Sequence, residues 1–282
     1  MRESLNKINI VGKLVENGLA IKESVKGTFI AGMLSVEVAP NNIIQVNFIA
    51  SEKKKDGGVN KVFASLNTVR QEYKSVAQVG EENADLVKIS GGRIEANDFY
   101  TNDMELITFN RLGSSFVSRL TKAEECKATF QAEVYINDII EEIVQDDSTG
   151  RMIILGYGIG YADKLIPMKL IVPEKLAKDV NRIYNVGDTA VFSGKIEYIS
   201  TPVEKVTETA FGDPVVNQYT KTSKELIITG GQEPATETAY ENKEIKAAKK
   251  VRESMLADLK TAAEEKKNGL GGNNNNTQRS PF

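Results

Sequence analysis

The sequence predicts a mainly β protein made of two small barrels in tandem, followed by a helix and a flexible tail. Three observations carry that expectation. Apolar and polar residues alternate at period two through about residue 230, the spacing of half-buried strands. Each half of that stretch is interrupted once by residues at helical spacing. The helix-to-strand junction of the first half, Ser90-Gly91-Gly92-Arg93-Ile94-Glu95, returns in the second half as Ser193-Gly194-Lys195-Ile196-Glu197.

In the first half, Ile8, Ile10, Gly12 and Leu14 share one face, with Asn9 and Lys13 on the other. Ile30, Leu34, Val36 and Val38 repeat the pattern across Thr28–Val38, and Ile44, Val46 and Phe48 do so against Gln45 and Asn47. Pro40-Asn41-Asn42 turns the chain between the second and third strands. After the charged, glycine-rich loop Lys53–Gly58, one helix is expected over Val59–Val79, with Val62, Leu66, Val69, Tyr73 and Val76 at helical spacing and Gly80 as its stop. Strands at Asp85–Ala96 and Met104–Asn110 follow, joined by a turn-like segment containing Phe99 and Tyr100. Three strands, a helix and two strands is the order of the OB-fold, a five-stranded Greek-key barrel.

The second half repeats it: strands at Thr129–Val144, Arg151–Tyr161 and Lys164–Val172, a helix opened by Pro173 and running to Tyr184, then strands at Asp188–Ser200 and Glu225–Thr229. Glycine at the repeated junction suits a bulge that curls a strand around a barrel corner. The expected domains are a first OB-fold barrel over 1–122 and a second over 123–231. A C-terminal helix over 232–268 carries Ala248, Val251, Met255 and Leu259 on one stripe, and a Gly/Asn-rich flexible tail fills 269–282.

Composition narrows the function. None of the 282 residues is histidine, which removes the usual acid–base, triad and transition-metal chemistries. A single cysteine, Cys126, excludes an internal disulfide and a cysteine cage. The expectation is a binding protein and not an enzyme, with no cofactor and no metal. A net charge of −3 is unlike that of a duplex-DNA binder. No apolar run reaches the roughly 18 residues of a membrane span, and MRESLNKINI has no signal-peptide core, so a cytoplasmic location is expected (host cytoplasm if viral).

Binding a single strand without sequence readout needs aromatics for bases and Lys or Arg for phosphates. The outward register of the second strand holds Phe29, which either meets a base or packs under a loop or the other barrel; Lys13 and Asn47 share its register. Lys53, Lys54 and Lys55 either track phosphates or form a solvated loop. Arg93 and Lys195 occupy the repeated junction. Phe99 and Tyr100, at a hairpin tip, either stack on bases or fold back into the core. Tyr157 and Tyr161 share a face with Ile153, Leu155 and Ile159 that reads first as core, opposite a face of Gly156, Gly158 and Gly160. The polar connection Thr201–Ser223, with Phe211 and Tyr219, reads as a mobile clamp over a strand or as a contact for a partner subunit.

Ile8-Asn9-Ile10-Val11-Gly12-Lys13-Leu14, Gly27-Thr28-Phe29-Ile30-Ala31 and Val186–Ile196 resemble strand patterns of OB-fold single-stranded DNA-binding proteins, of the kind found in phages and plasmids of Gram-positive bacteria. The terminal Pro281-Phe282 is similar to the dipeptide through which bacterial members recruit partner enzymes. The resemblance implies a protein that coats or clamps single-stranded DNA in replication, recombination or repair of a phage or mobile element. Replication or recombination proteins reached through the tail, and further copies of the chain, are its implied partners. The rival readings are a virion or assembly component that uses the barrels as packing modules, and an RNA-binding OB-fold protein.

Overall fold

In the computed structural model, which describes residues 1–122, 124–207, 211, 215–267 and 269, the first half contains β1 (Asn6–Asn17), β2 (Ala20–Ser24), β3 (Gly27–Ala39), β4 (Asn42–Ser51), α1 (Lys61–Glu72), α2 (Val76–Val79), β5 (Leu86–Tyr100), β6 (Leu106–Ser114) and β7 (Val117–Arg119). Antiparallel pairings β1–β3, β3–β4, β5–β6 and β1–β5, closed by parallel β4–β6, make a five-stranded ring. Its inward side chains, among them Ile10, Leu14, Ile30, Leu34, Ile44, Phe48, Ile89 and Leu112, are at most 2% exposed. This is the OB-fold ring, with α1 between the third and fourth ring strands and Leu66 and Val69 buried against the core. β2 is a hairpin partner of β3 outside the ring.

The single helix expected over Val59–Val79 is two helices. Asn60 caps α1 by accepting from the Val62 N–H at 3.1 Å. The chain then leaves helical geometry at Tyr73, and Ser75 restarts it through a capping box with Gln78. Two local caps therefore outweigh the continuous apolar spacing.

The second half repeats the ring with β8 (Lys127–Val144), β9 (Asp147–Ile159), β10 (Leu165–Val172), α3 (Glu174–Ile183), β11 (Thr189–Thr207) and β12 (Val215–Gly231). Its closure is again the parallel pair, β10–β12. Both expected bulges are present: register slips beside Gly91, whose φ is 68°, and between Ser193 and Gly194. The barrels join edge to edge through β1–β8, from Asn6↔Ala132 to Val11↔Lys127, and through Ile199↔Asn42 between β11 and β4. The twelve described strands thus form one continuous sheet, over an apolar core that draws residues from both barrels, with a second cluster under the C-terminal helix.

Two strand pairs run past their barrels as arms. The β5–β6 ladder continues to Tyr100↔Leu106, and β11–β12 continues from Glu197↔Glu225 to Thr207↔Val215. The polar stretch Thr201–Ser223, expected as a loop, is therefore mostly paired strand. Its backbone is satisfied by the ladder and does not need a buried apolar face.

The C-terminal helix, α4 (Asn242–Lys267), lies on the outside of the second barrel. Ile245 and Ala248 are its buried residues, packing with the preceding Tyr240 against Tyr135, Ile159 and Leu165. Arg2 ties the N-terminal segment in by a bidentate pair with buried Glu133 at 2.6 Å while lying over the Tyr240 ring. The expected flexible tail, apart from Gly269, lies outside the described residues, as does Pro281-Phe282. No helix of the described residues is long and apolar enough to cross a membrane.

Candidate nucleic-acid interface

The outer face of β3 and β4 on the first barrel is set by alternation. With Ile30, Leu34, Val46 and Phe48 inside, Phe29, Ala31, Met33, Asn47 and Ile49 must point out. Cross-strand pairs Phe29↔Ser51, Ala31↔Ile49 and Met33↔Asn47 place them side by side. Ile49 is 67% exposed, while Phe29, Met33 and Asn47 are half-buried. Asn47 donates to the Leu112 carbonyl at 3.2 Å, which fixes its amide over the β4–β6 seam. At the Phe29 end the chain leaves β4 into exposed Lys53, Lys54 and Lys55, held by Ser51 Oγ donating to the Lys53 carbonyl at 2.9 Å.

The β5–β6 arm borders this face. Phe99 and Phe109 meet edge-to-face, with ring centroids 6.2 Å apart, and are 37% and 43% exposed. Leu106 and Ile107 beside them are also exposed. Towards the barrel, Arg93 and Arg111 bond the same carboxylate, Glu95, at 2.9 and 3.1 Å. Two cations share one anion there, leaving a net positive charge next to the rings. The arm's other face is latched to α4: Arg252 makes a bidentate pair with Asp98 at 2.6 and 2.9 Å, both side chains nearly buried. Half-buried Tyr100, one residue on from Phe99, points to this latched side.

The second barrel's equivalent face, β9 and β10, is partly covered. The inward residues are Ile154, Gly156 and Gly158, not the tyrosine face expected as core. A Cβ on Gly156 would overlap Val134 Cγ1, and one on Gly158 would stand 3.0 Å from core Met168. The opposite face, with Tyr157 and Ile159, is apolar because α4 covers it: Lys249 Nζ sits 4.7 Å from the centroid of the Tyr157 ring. Asn110 of the first barrel's arm also reaches this strand pair, donating to the Pro167 carbonyl at 2.7 Å.

Of the residues picked from sequence, the structure gathers Phe29, Asn47, Lys53, Lys54, Lys55, Arg93 and Phe99 on or beside the first barrel's open face. It separates the others. Lys13 pairs with Glu81 at 3.5 Å and stands opposite Glu37. Tyr157 is under α4. Tyr161 is 80% exposed in the β9–β10 connection, and Lys195 pairs with Glu197 on the second barrel. Phe211, 91% exposed, and Tyr219, 51% exposed, belong to the β11–β12 arm. Sequence reading missed Arg111, having ended that strand at Asn110, and Phe109, which lay inside it. It also missed Phe116, 60% exposed near Gly91, and Lys224 of β12. Among the described residues no group of three or more His, Cys, Asp or Glu could hold a metal ion.

Residues 4–262 match the family model described as YorF. The chain belongs to the YorF family. The YorF match spans both barrels and most of α4. None of the curated proteins matches the sequence. Among solved structures the fold is similar to a deletion mutant of the single-stranded DNA binding protein from Thermus aquaticus. The TM-score is 0.51 over 86% of this chain and 100% of that one, at 10% identity. At that identity the likeness establishes the fold.

Proposed function

We propose that this chain is a non-catalytic protein that binds single-stranded DNA across the open β3–β4 face of the first barrel, by base stacking and phosphate contacts without sequence readout. The observation that carries the reading is the face itself. It lies where an OB-fold receives oligonucleotides, and it gathers Phe29, Met33, Asn47 and Ile49 between a lysine loop and an arm bearing an exposed Phe pair and two arginines. The similar Thermus aquaticus protein, a single-stranded DNA binding protein by its description, supports the same ligand. Replication, recombination or repair of a phage or mobile element in the cytoplasm is the setting that fits.

The test is a fluorescence titration of oligo-dT, oligo-rU and duplex of equal length at two salt concentrations. Tight dT binding, with a log–log salt slope near −0.7 per neutralised phosphate, is expected. Preference for rU would make the ligand RNA. Absence of binding to every strand, with self-association through Leu106 and Ile107, would favour the assembly reading.

A further inference from the structure

The β11–β12 ribbon leaves the second barrel after its last core pair, Ile196↔Leu226. The next pairs on the same side are Tyr198↔Lys224 and Ser200↔Thr222. Here the ribbon touches the first barrel. The Tyr198 N–H donates to buried Asn42 Oδ1 at 2.9 Å, and the Ser200 N–H donates to the Asn41 carbonyl at 3.2 Å. Lys224 Nζ lies 5.1 Å from the Tyr198 ring centroid and donates to Gln45 Oε1 at 3.4 Å. Gln45 is on β4, in the outward register of Asn47.

Lys224 differs in its partner from five other cations of the two barrels. Arg93, Arg111, Lys13, Arg151 and Lys195 each meet a carboxylate. Among the described residues none pairs with Lys224. The adjacent Glu225 points to the ribbon's other side, where Arg151 holds it at 2.7 Å. Burial lowers the Lys224 pKa from the usual lysine value of 10.5, with no carboxylate offsetting it. A partly desolvated ammonium without a counter-charge attracts an anion more strongly than a fully hydrated one. Its surroundings supply further donors: the Gln45 amide and the hydroxyls of Ser200 and Thr222, 3.1 Å apart.

We propose that Lys224, with Gln45 and the Ser200–Thr222 pair, seats one backbone phosphodiester of a strand lying on the first barrel. The second barrel then contributes through its arm, while its own β9–β10 face is partly covered by α4. The proposal rests on the single-strand reading above. The test uses the full chain and a labelled oligo-dT of about 20 nucleotides, longer than one barrel's site. Wild type, Lys224→Gln and Lys224→Arg are titrated over a salt series, with melting temperature measured for each.

Lys224→Gln is expected to bind roughly tenfold more weakly at low salt, the scale of one lost hydrogen bond to a charged group. Its salt slope should be shallower by about 0.7, its melting temperature unchanged, and Lys224→Arg close to wild type. A wild-type slope in Lys224→Gln overturns the seat, and so does an equal loss in Lys224→Arg, which keeps the charge. Failure of wild type to bind any strand refutes instead the single-strand reading, and the seat with it.

Discussion

Truncating the exposed ring pair, Phe99→Ala with Phe109→Ala, sets binding against stability in one experiment. Somewhat more than half of each ring is covered, since Phe99 is 37% and Phe109 43% exposed. Full burial of a Phe side chain is worth about 1.5–3 kcal/mol, and an edge-to-face pair adds about 0.5–1.5 kcal/mol. Phe99→Ala alone should therefore cost roughly 1.5–3 kcal/mol of stability, more than fully exposed rings at a hairpin tip would contribute. If bases stack here, each lost platform weakens strand binding by about 1–3 kcal/mol, roughly 5- to 150-fold. The assay is oligo-dT affinity, measured well below the melting temperature, beside urea unfolding of the same variants. A doubly truncated protein that is folded and binds dT like wild type would refute the stacking role. The strand would then have to lie on Phe29, Met33 and the lysine loop.

Gly156→Ala should cost about 1–3 kcal/mol in urea unfolding, because a Cβ there overlaps Val134, while Gly230→Ala, with nothing within 4 Å, should stay within about 0.5 kcal/mol. Arg252→Gln leaves the Asp98 carboxylate unpaired. Amide exchange should accelerate in α4 and at the β5–β6 tip, and Asp98→Asn added to it should cost little more, as a double-mutant cycle would read out. Burial pushes the Tyr198 phenol from 10.0 up to about 12. A raised pKa contributes stability that is complete below the unfolded-state value and is lost as pH climbs to the folded one. Unfolding free energy should therefore fall by about 2 kcal/mol between pH 10 and 12, less in Tyr198→Phe.

Much of the architecture was legible because water marks it. The alternation in β1, β3 and β4 exists because one side of each strand faces a core and the other faces solvent, and the junction glycines mark bulges whichever neighbours they meet. That signal fails where both sides are covered. From Met152 to Ile159, β9 is apolar or glycine on both faces because the barrel fills one and α4 lies on the other, so alternation cannot tell inside from outside there. It fails again in the β11–β12 arm, where a ladder holds polar residues in register without burying them, and a strand reads as a loop.

By itself, then, the sequence determined two OB-fold rings and their order, with Phe29 and Asn47 in the outward register of the first ring, all consequences of local periodicity, and the charged loop of Lys53, Lys54 and Lys55 beside them. Only tertiary structure decided which ring offers an open face, that Arg93 and Arg111 share Glu95, and that Lys224 comes to Gln45, 179 residues away in the chain. The open face follows from the docking of α4 on the second ring, the shared Glu95 from the β5–β6 register, and the approach of Lys224 from the edge-to-edge pairing of β1 with β8 and of β4 with β11. That pairing is made by backbone groups every residue carries, so no side-chain pattern announces it.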